Sequence, residues 1–232
     1  MSARVAIDSF PDSAARYPGQ AIVAVDVIRA TTTAVTAVSR GHRLFVGASL
    51  EHAVSVAAGL DDPLLVGELG GHMPYGFDIQ NSPLLVDQLT DRRPIVLLST
   101  GGTHLIHEAA RHGQAFVACL RNIDATARLL AARDVDVAVI GAGTRGEFRE
   151  EDQIGCAWIA ERLVAAGLEP ANDATTACIE RWNGAAVEAI SASASAAYLL
   201  RTGQIADLEF VLGHLDDLDT AFTFVEGEVL AA

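Results

Sequence analysis

Aromatic side chains make up only 6% of the chain. With so few rings, the core has to be built from Ala, Val, Leu and Ile, the usual filling of a sheet covered by helices. Cysteine is also scarce: Cys119, Cys156 and Cys178 are the whole set, and none forms a CxxC pair. An odd, scattered count argues against a disulfide framework and fits a reduced, cytoplasmic setting. Positive charge is short as well, with 16 basic against 30 acidic residues and a formal net charge of −14. That balance argues against a nucleic-acid or anionic-membrane surface, where phosphates demand Lys and Arg. It leaves room for a small anionic substrate, because a local site can be positive or metal-loaded inside an acidic protein. No apolar run approaches the ~20 residues needed to cross a bilayer, and residues 1–13 lack the apolar core of a signal peptide. The seven histidines show no HxxxH or HxH spacing, which argues against zinc.

What the chain has is apolar mass, 50% of 232 residues, enough for a substantial core. A single domain is expected, or two intimate lobes dividing near residues 145–150. Apolar runs alternate with helical patterns. Residues 21–27 read as a strand buried on both faces, followed by a helix over 30–40. Strands over 44–46, 64–66, 95–99, 115–118 and 135–140 alternate with helices over 50–58, 103–111 and 124–132. Such repeated units predict an α/β fold: three α/β/α layers around a mostly parallel or mixed sheet. The last third reads as helix-rich, over 151–166, 174–181, 185–191 and 194–201, with a final strand over 221–225.

In open parallel sheets, ligands bind outside the carboxyl ends of the strands, and the polar residues collect at those positions. Asp26 ends the first buried strand. Arg29, Thr31, Thr32 and Thr33 follow where a helix begins, a place suited to binding an anion. Asp26 itself suits a Mg²⁺ ligand, a nucleophile or a base. The long loop over 67–83 carries Glu68, Gly70, Gly71, Asp78, Asn81 and Ser82. Ser82 and Pro83 also read as a plain helix start. A third turn, residues 99–103, brings Gly102 and Thr103 to another strand end. It lacks the lysine of a Walker sequence. A fourth, Gly141 to Gly146 with Arg145, has the wrong spacing for a dinucleotide fingerprint. Glu151 and Asp152 open a later helix, where acidic residues are favoured by the dipole and can also hold a hard cation.

These segments resemble the 2-phosphosulfolactate phosphatase family. AVDVIRATTTAV is similar to its opening motif, and GELGGHMPYGFDIQNSP to its second loop. STGGTHLI, Asn122, Glu151-Asp152 and the late helix over 193–200 follow in order, so the match runs from about Val5 to Leu200. The resemblance implies a Mg²⁺-dependent α/β phosphatase that cleaves phosphosulfolactate to sulfolactate and phosphate, a step towards coenzyme M. It adds Asn122 to the substrate-binding candidates. Three positions depart from the family pattern: Leu69 for an arginine, Gly101 for an asparagine and His104 for a basic residue.

The expected chemistry is metal-assisted hydrolysis of a small, anionic phosphate monoester. Mg²⁺ would be held among Asp26, Glu68, Glu151 and Asp152, with Arg29 and the Thr31–Thr33 helix start neutralising the phosphoryl group. Asp78 or Glu68 would orient water or protonate the leaving group. The alternative is a relative that binds a small anionic metabolite without turning it over. Ala-rich C-terminal helices favour a homodimer.

Overall fold

The computed structural model describes residues 2–144 and 146–232, so Arg145 of the fourth turn lies outside the described residues. One eleven-stranded mixed sheet runs through the fold. Its first parallel run has the order β5 (Ile79–Gln80), β4 (Leu64–Gly67), β6 (Ile95–Leu98), β3 (Leu44–Val46). The second has the order β7 (Gln114–Ala118), β2 (Ala21–Val25), β8 (Val137–Gly141), β1 (Arg4–Ser9), β9 (Glu169–Pro170). An antiparallel hairpin, β10 (Phe222–Val225) and β11 (Glu228–Ala231), sits between them. β11 pairs antiparallel with β3, and β10 pairs antiparallel with β7.

The strand sequences dictate the layering. In β2, Ile22 and Ala24 enter the core on one face, and Ala21, Val23 and Val25 enter the core on the other. A strand apolar at every position cannot tolerate water on either side, so helices must cover both faces. On one face lie α1 (Ala30–Ser39), α3 (Pro83–Asp87) and α4 (Gly102–His112), through Val35, Val86 and Leu105. On the other lie α5 (Ile123–Ala131) and α6 (Glu150–Ala165), through Ile123, Leu130, Ile154 and Ile159. Over β4 and β6, α2 (Leu50–Ala58) packs Ala53 against Val96 and Leu98. Ser49 starts α2 by accepting the His52 N–H at 3.1 Å, an N-cap bond.

The helix-rich C-terminal third is confirmed, and its strands join the same sheet. It contains α7 (Asp173–Trp182), α8 (Ala194–Arg201) and α9 (Ile205–Gly213). The helix read over 185–191 is instead a short 3₁₀ segment, Val187–Ala192. Besides the two-residue strands β5, within the stretch read as loop, and β9, three elements left no clear mark in the pattern. β1 holds a short apolar run between Arg4 and Asp8, β11 has only Val229 buried, and α9 starts at Gln204 without a side-chain cap.

The central hairpin makes the two parallel runs formally opposed in direction. From β6 to β2, however, the order passes through β3, β11, β10 and β7. At roughly 20–25° per step, these strands accumulate about 100–125° of twist. The carboxyl ends of β2 and β6 therefore reach one region, and α4 begins there directly against Asp26.

Candidate active site

The chain leaves β2 at Val25, and its next residue, Asp26, is buried. Asp26 Oδ1 accepts the Ala30 N–H at 3.2 Å, so its carboxylate occupies the start of α1. The threonines that follow knit this turn together. Thr31 Oγ1 accepts the Asp26 N–H at 2.9 Å and donates to the Asp26 carbonyl at 2.8 Å. Thr32 donates to the Val27 carbonyl at 2.8 Å. Thr31, Thr32 and Thr33 are all buried and none lines the cleft, which corrects their assignment as direct phosphate donors. Thr33 Oγ1 has no partner among the described residues.

Glu68 follows β4 and is held from three sides. Its carboxylate accepts the Gly71 N–H at 2.6 Å, the Thr100 N–H at 2.7 Å and the Thr100 hydroxyl at 2.9 Å. Gly70 and Gly71 take φ of 64° and 87°, left-handed values that favour glycine. Across the turn, Gly102 has a different reason to be glycine: a Cβ there would lie 2.5 Å from Asp26 Oδ2 and 2.6 Å from Ala30 Cβ. Thr103 instead exchanges hydrogen bonds with Ser99 at the start of α4 and does not reach the cleft.

Glu151 and Asp152 come from the first turn of α6, and both are buried. Asp152 accepts the Val27 N–H at 2.9 Å and the Gly143 N–H at 3.1 Å, tying the first turn to the fourth. Neither Glu151 carboxylate oxygen has a hydrogen-bond partner among the described residues. Asp26 thus feels the charges of both Glu68 and Glu151, and Asp152 those of Asp26 and Glu151. Burial, opposed by the Ala30 N–H and Arg29 and reinforced by the like charges of Glu68 and Glu151, pushes the Asp26 carboxyl up to about 7. Burial, then Asp26 and Glu151, pushes Asp152 well above the usual carboxylate range.

Arg29 is anchored beneath this cluster. Its Nη1 donates to Asp207 Oδ2 at 2.5 Å and to Gln204 Oε1 at 2.6 Å. The other Asp207 oxygen accepts the Ser82 hydroxyl at 2.6 Å. Ser82 therefore acts through Asp207 and as the cap of α3, not as a substrate contact, while its neighbour Asn81 does line the cleft.

The cleft encloses about 580 Å³. Asp26, Arg29, Glu68, Gly70, Gly71 and Asn81 line it, as expected from the sequence. Gly102, Glu151 and Asp152 do not line it, and Asp78 and Asn122 lie elsewhere. Asp78 is exposed and its carboxylate accepts the Leu65 N–H at 2.8 Å, so it pins the loop to β4. Asn122 is fully buried, with its amide bonded to Cys119, Val117 and Thr126. The sequence reading missed Arg149, Tyr198 and Arg201 on the cleft wall, and Asp207 behind it. Only the late serine–alanine helix pointed towards α8.

Could the residues hold a cation? The donors are oxygen only, which suits Mg²⁺. Glu151 is 1% exposed with both oxygens unpartnered, beside an Asp26 that burial and like charges disfavour ionising. That combination fits a missing positive charge. Among the described residues, no three His, Cys, Asp or Glu side chains already stand arranged as a metal cage.

The family model for 2-phosphosulpholactate phosphatase matches residues 8–226. Among curated proteins, the chain is 37% identical over 214 residues to a probable 2-phosphosulfolactate phosphatase of Deinococcus radiodurans, covering 89% of this chain and 88% of that one. It is 37% identical over 216 residues to one of Thermus thermophilus, with 89% of each covered. A third, from Symbiobacterium thermophilum, is 35% identical over 223 residues, covering 91% and 94%. Matched over most of its length and similar to these relatives end to end, the chain belongs to the 2-phosphosulfolactate phosphatase family.

Proposed function

We propose that this protein is a phosphatase acting on a small anionic phosphate monoester, 2-phosphosulfolactate, and releasing sulfolactate and inorganic phosphate. The observation that carries the reading is the buried Asp26 carboxylate at the cleft floor. It is crowded by Glu68 and Glu151, with the Arg29 guanidinium also lining that cleft.

Mg²⁺ held by Asp26 and Glu151 would supply positive charge against the phosphoryl oxygens. Asp152 would stand behind these two ligands, and Glu68 faces the cleft beside Asp26. The Asp152 oxygens are already engaged by two backbone N–H groups. The protein's own residues do the rest. Arg29 is anchored through Nη1 alone, so Nε and Nη2 are free among the described residues to grip a phosphoryl group. Its burial gives that grip more strength than an exposed arginine would have. Glu68 is fixed by three hydrogen bonds and keeps acceptor capacity to orient the attacking water. Asp78 takes no part.

The rival reading, a pocket that binds without turnover, rests on the departures at Leu69, Gly101 and His104. Leu69 and His104 are exposed and do not line the cleft. Gly101 does, but a Cβ there would lie 2.6 Å from the Gly143 carbonyl oxygen. The fourth-turn backbone leaves no room for a larger residue in this conformation, so the departure is accommodated. The test is phosphate release from 2-phosphosulfolactate with Mg²⁺ and after EDTA, for the natural chain and Asp26→Asn. Release by the natural chain only with Mg²⁺, and none by the folded variant, is the expected result. No release by the natural chain across a panel of small phosphate esters would overturn the reading.

A further inference from the structure

The chain contains no lysine, so cationic recognition in the cleft falls to arginine alone. Three described arginines line it: Arg29, Arg149 and Arg201. They differ in how much of their charge is already spent. Arg29 is neutralised by Asp207 at 2.5 Å, with both side chains buried. Arg149 pairs with Glu147 at 3.1 Å and also donates to the Phe148 carbonyl. Arg201 has no carboxylate or hydrogen-bond acceptor among the described residues. It lies over the Tyr198 ring at 6.0 Å. Tyr198 is itself fixed, donating its hydroxyl to the Gly71 carbonyl at 2.8 Å.

Arg201 is thus a solvent-reachable guanidinium at the end of α8, resting on an aromatic face that is pinned to the glycine loop. Of the three described cleft arginines it alone is unpaired, although the chain carries 30 acidic residues. Its position also matters. Asp26 and Arg29 come from the strand-end floor, whereas Arg201 comes from the C-terminal helix wall. A ligand bound at the floor through one anionic group can present a second anionic group to that wall.

We infer that Arg201 is the specificity-determining residue that binds the non-phosphate anion of the substrate, a carboxylate or sulfonate on the carbon skeleton, with Tyr198 positioning it. This rests on the phosphatase reading above and deepens it. Guanidinium geometry matches either oxyanion bidentately. The aromatic face limits the orientations the side chain can sample.

The test compares two esters and one product. kcat/KM is measured for 2-phosphosulfolactate, which carries two further anions, and for p-nitrophenyl phosphate, which carries none. Binding of sulfolactate, which has no phosphate, is measured by calorimetry. The natural chain, Arg201→Gln and Arg201→Lys are used throughout. In Arg201→Gln, the ratio of the two kcat/KM values falls by roughly 10–100-fold, the loss expected for one charged hydrogen-bonded contact. Most of that fall lies in KM for the anionic ester. Sulfolactate affinity falls by a similar factor, and Arg201→Lys recovers part of both. An unchanged ratio, or equal losses on both esters, overturns the proposal. If the natural chain turns over neither ester, the phosphatase reading fails by itself. Sulfolactate binding then decides the Arg201 assignment: weaker binding in Arg201→Gln upholds it, and equal or absent binding in both chains overturns it.

Discussion

Arg29 and Asp207 meet at 2.5 Å with both side chains buried, although they lie 178 positions apart in the chain. The pair joins the first strand–helix turn to α9, and Ser82 extends the link to α3. Removing one partner strands the other charge away from water. Asp207→Ala is expected to lower stability by about 3–5 kcal/mol, the cost of breaking a buried pair. Phosphate release should fall with it, because Arg29 loses its anchor. The double variant Arg29→Met, Asp207→Leu should recover much of the stability and none of the turnover. Denaturant unfolding beside a phosphate-release assay checks both; recovered turnover in the double variant would remove Arg29 from the chemistry.

Gly102 allows Asp26 and α4 to touch, since an added Cβ would lie 2.5 Å from the Asp26 carboxylate. Gly102→Ala should cost roughly 1–3 kcal/mol, as overpacking does. It should also displace the carboxylate and abolish turnover. Full activity in a folded Gly102→Ala protein would mean that Asp26 need not hold this position.

Stability should depend on pH through Asp26. The carboxyl titrates near 3.8 when unfolded and at about 7 when folded. The folded state binds this proton more tightly, so the group favours folding below about pH 4. That contribution is lost as pH rises to about 7. Metal-free protein should therefore weaken between these limits, and Asp26→Asn should show a flatter profile. Mg²⁺ should raise the unfolding midpoint more at pH 8 than at pH 5, because a cation offsets the ionised cluster. Equal shifts at both pH values would count against a cation on these carboxylates.

Asp78 gives the opposite kind of test. Its carboxylate serves the Leu65 N–H and lies outside the cleft. Asp78→Asn should cost about 0.5–1.5 kcal/mol, a single hydrogen bond, and leave kcat within about twofold. A loss above tenfold with the fold intact would restore a catalytic role to it.

These cases mark what the linear pattern conveys. Asp26 and Glu68 were legible as cleft residues because a carboxylate just past an apolar strand has few structural uses. The boundaries of β3, α2 and α8 matched their apolar periodicity to the residue. Asp78 misled because an acidic loop residue can equally serve a backbone N–H thirteen positions away, as it does for Leu65. Thr31 and Thr32 misled similarly, since a hydroxyl at a helix start satisfies local backbone as readily as a ligand. Asp207 was invisible because its meaning lies wholly in a distant partner. Strand order was invisible too, as local periodicity says nothing about which strands become neighbours.

That order has a consequence for how the molecule is assembled. Residues 222–231 form the hairpin that sits between β3 and β7. During synthesis, each parallel run must wait with one bare, apolar edge until this late segment emerges from the ribosome. Bare edges are templates for pairing with other chains. Nascent chains stalled before residue 222 should therefore be the most aggregation-prone species on the route to the native state, and the most dependent on chaperones.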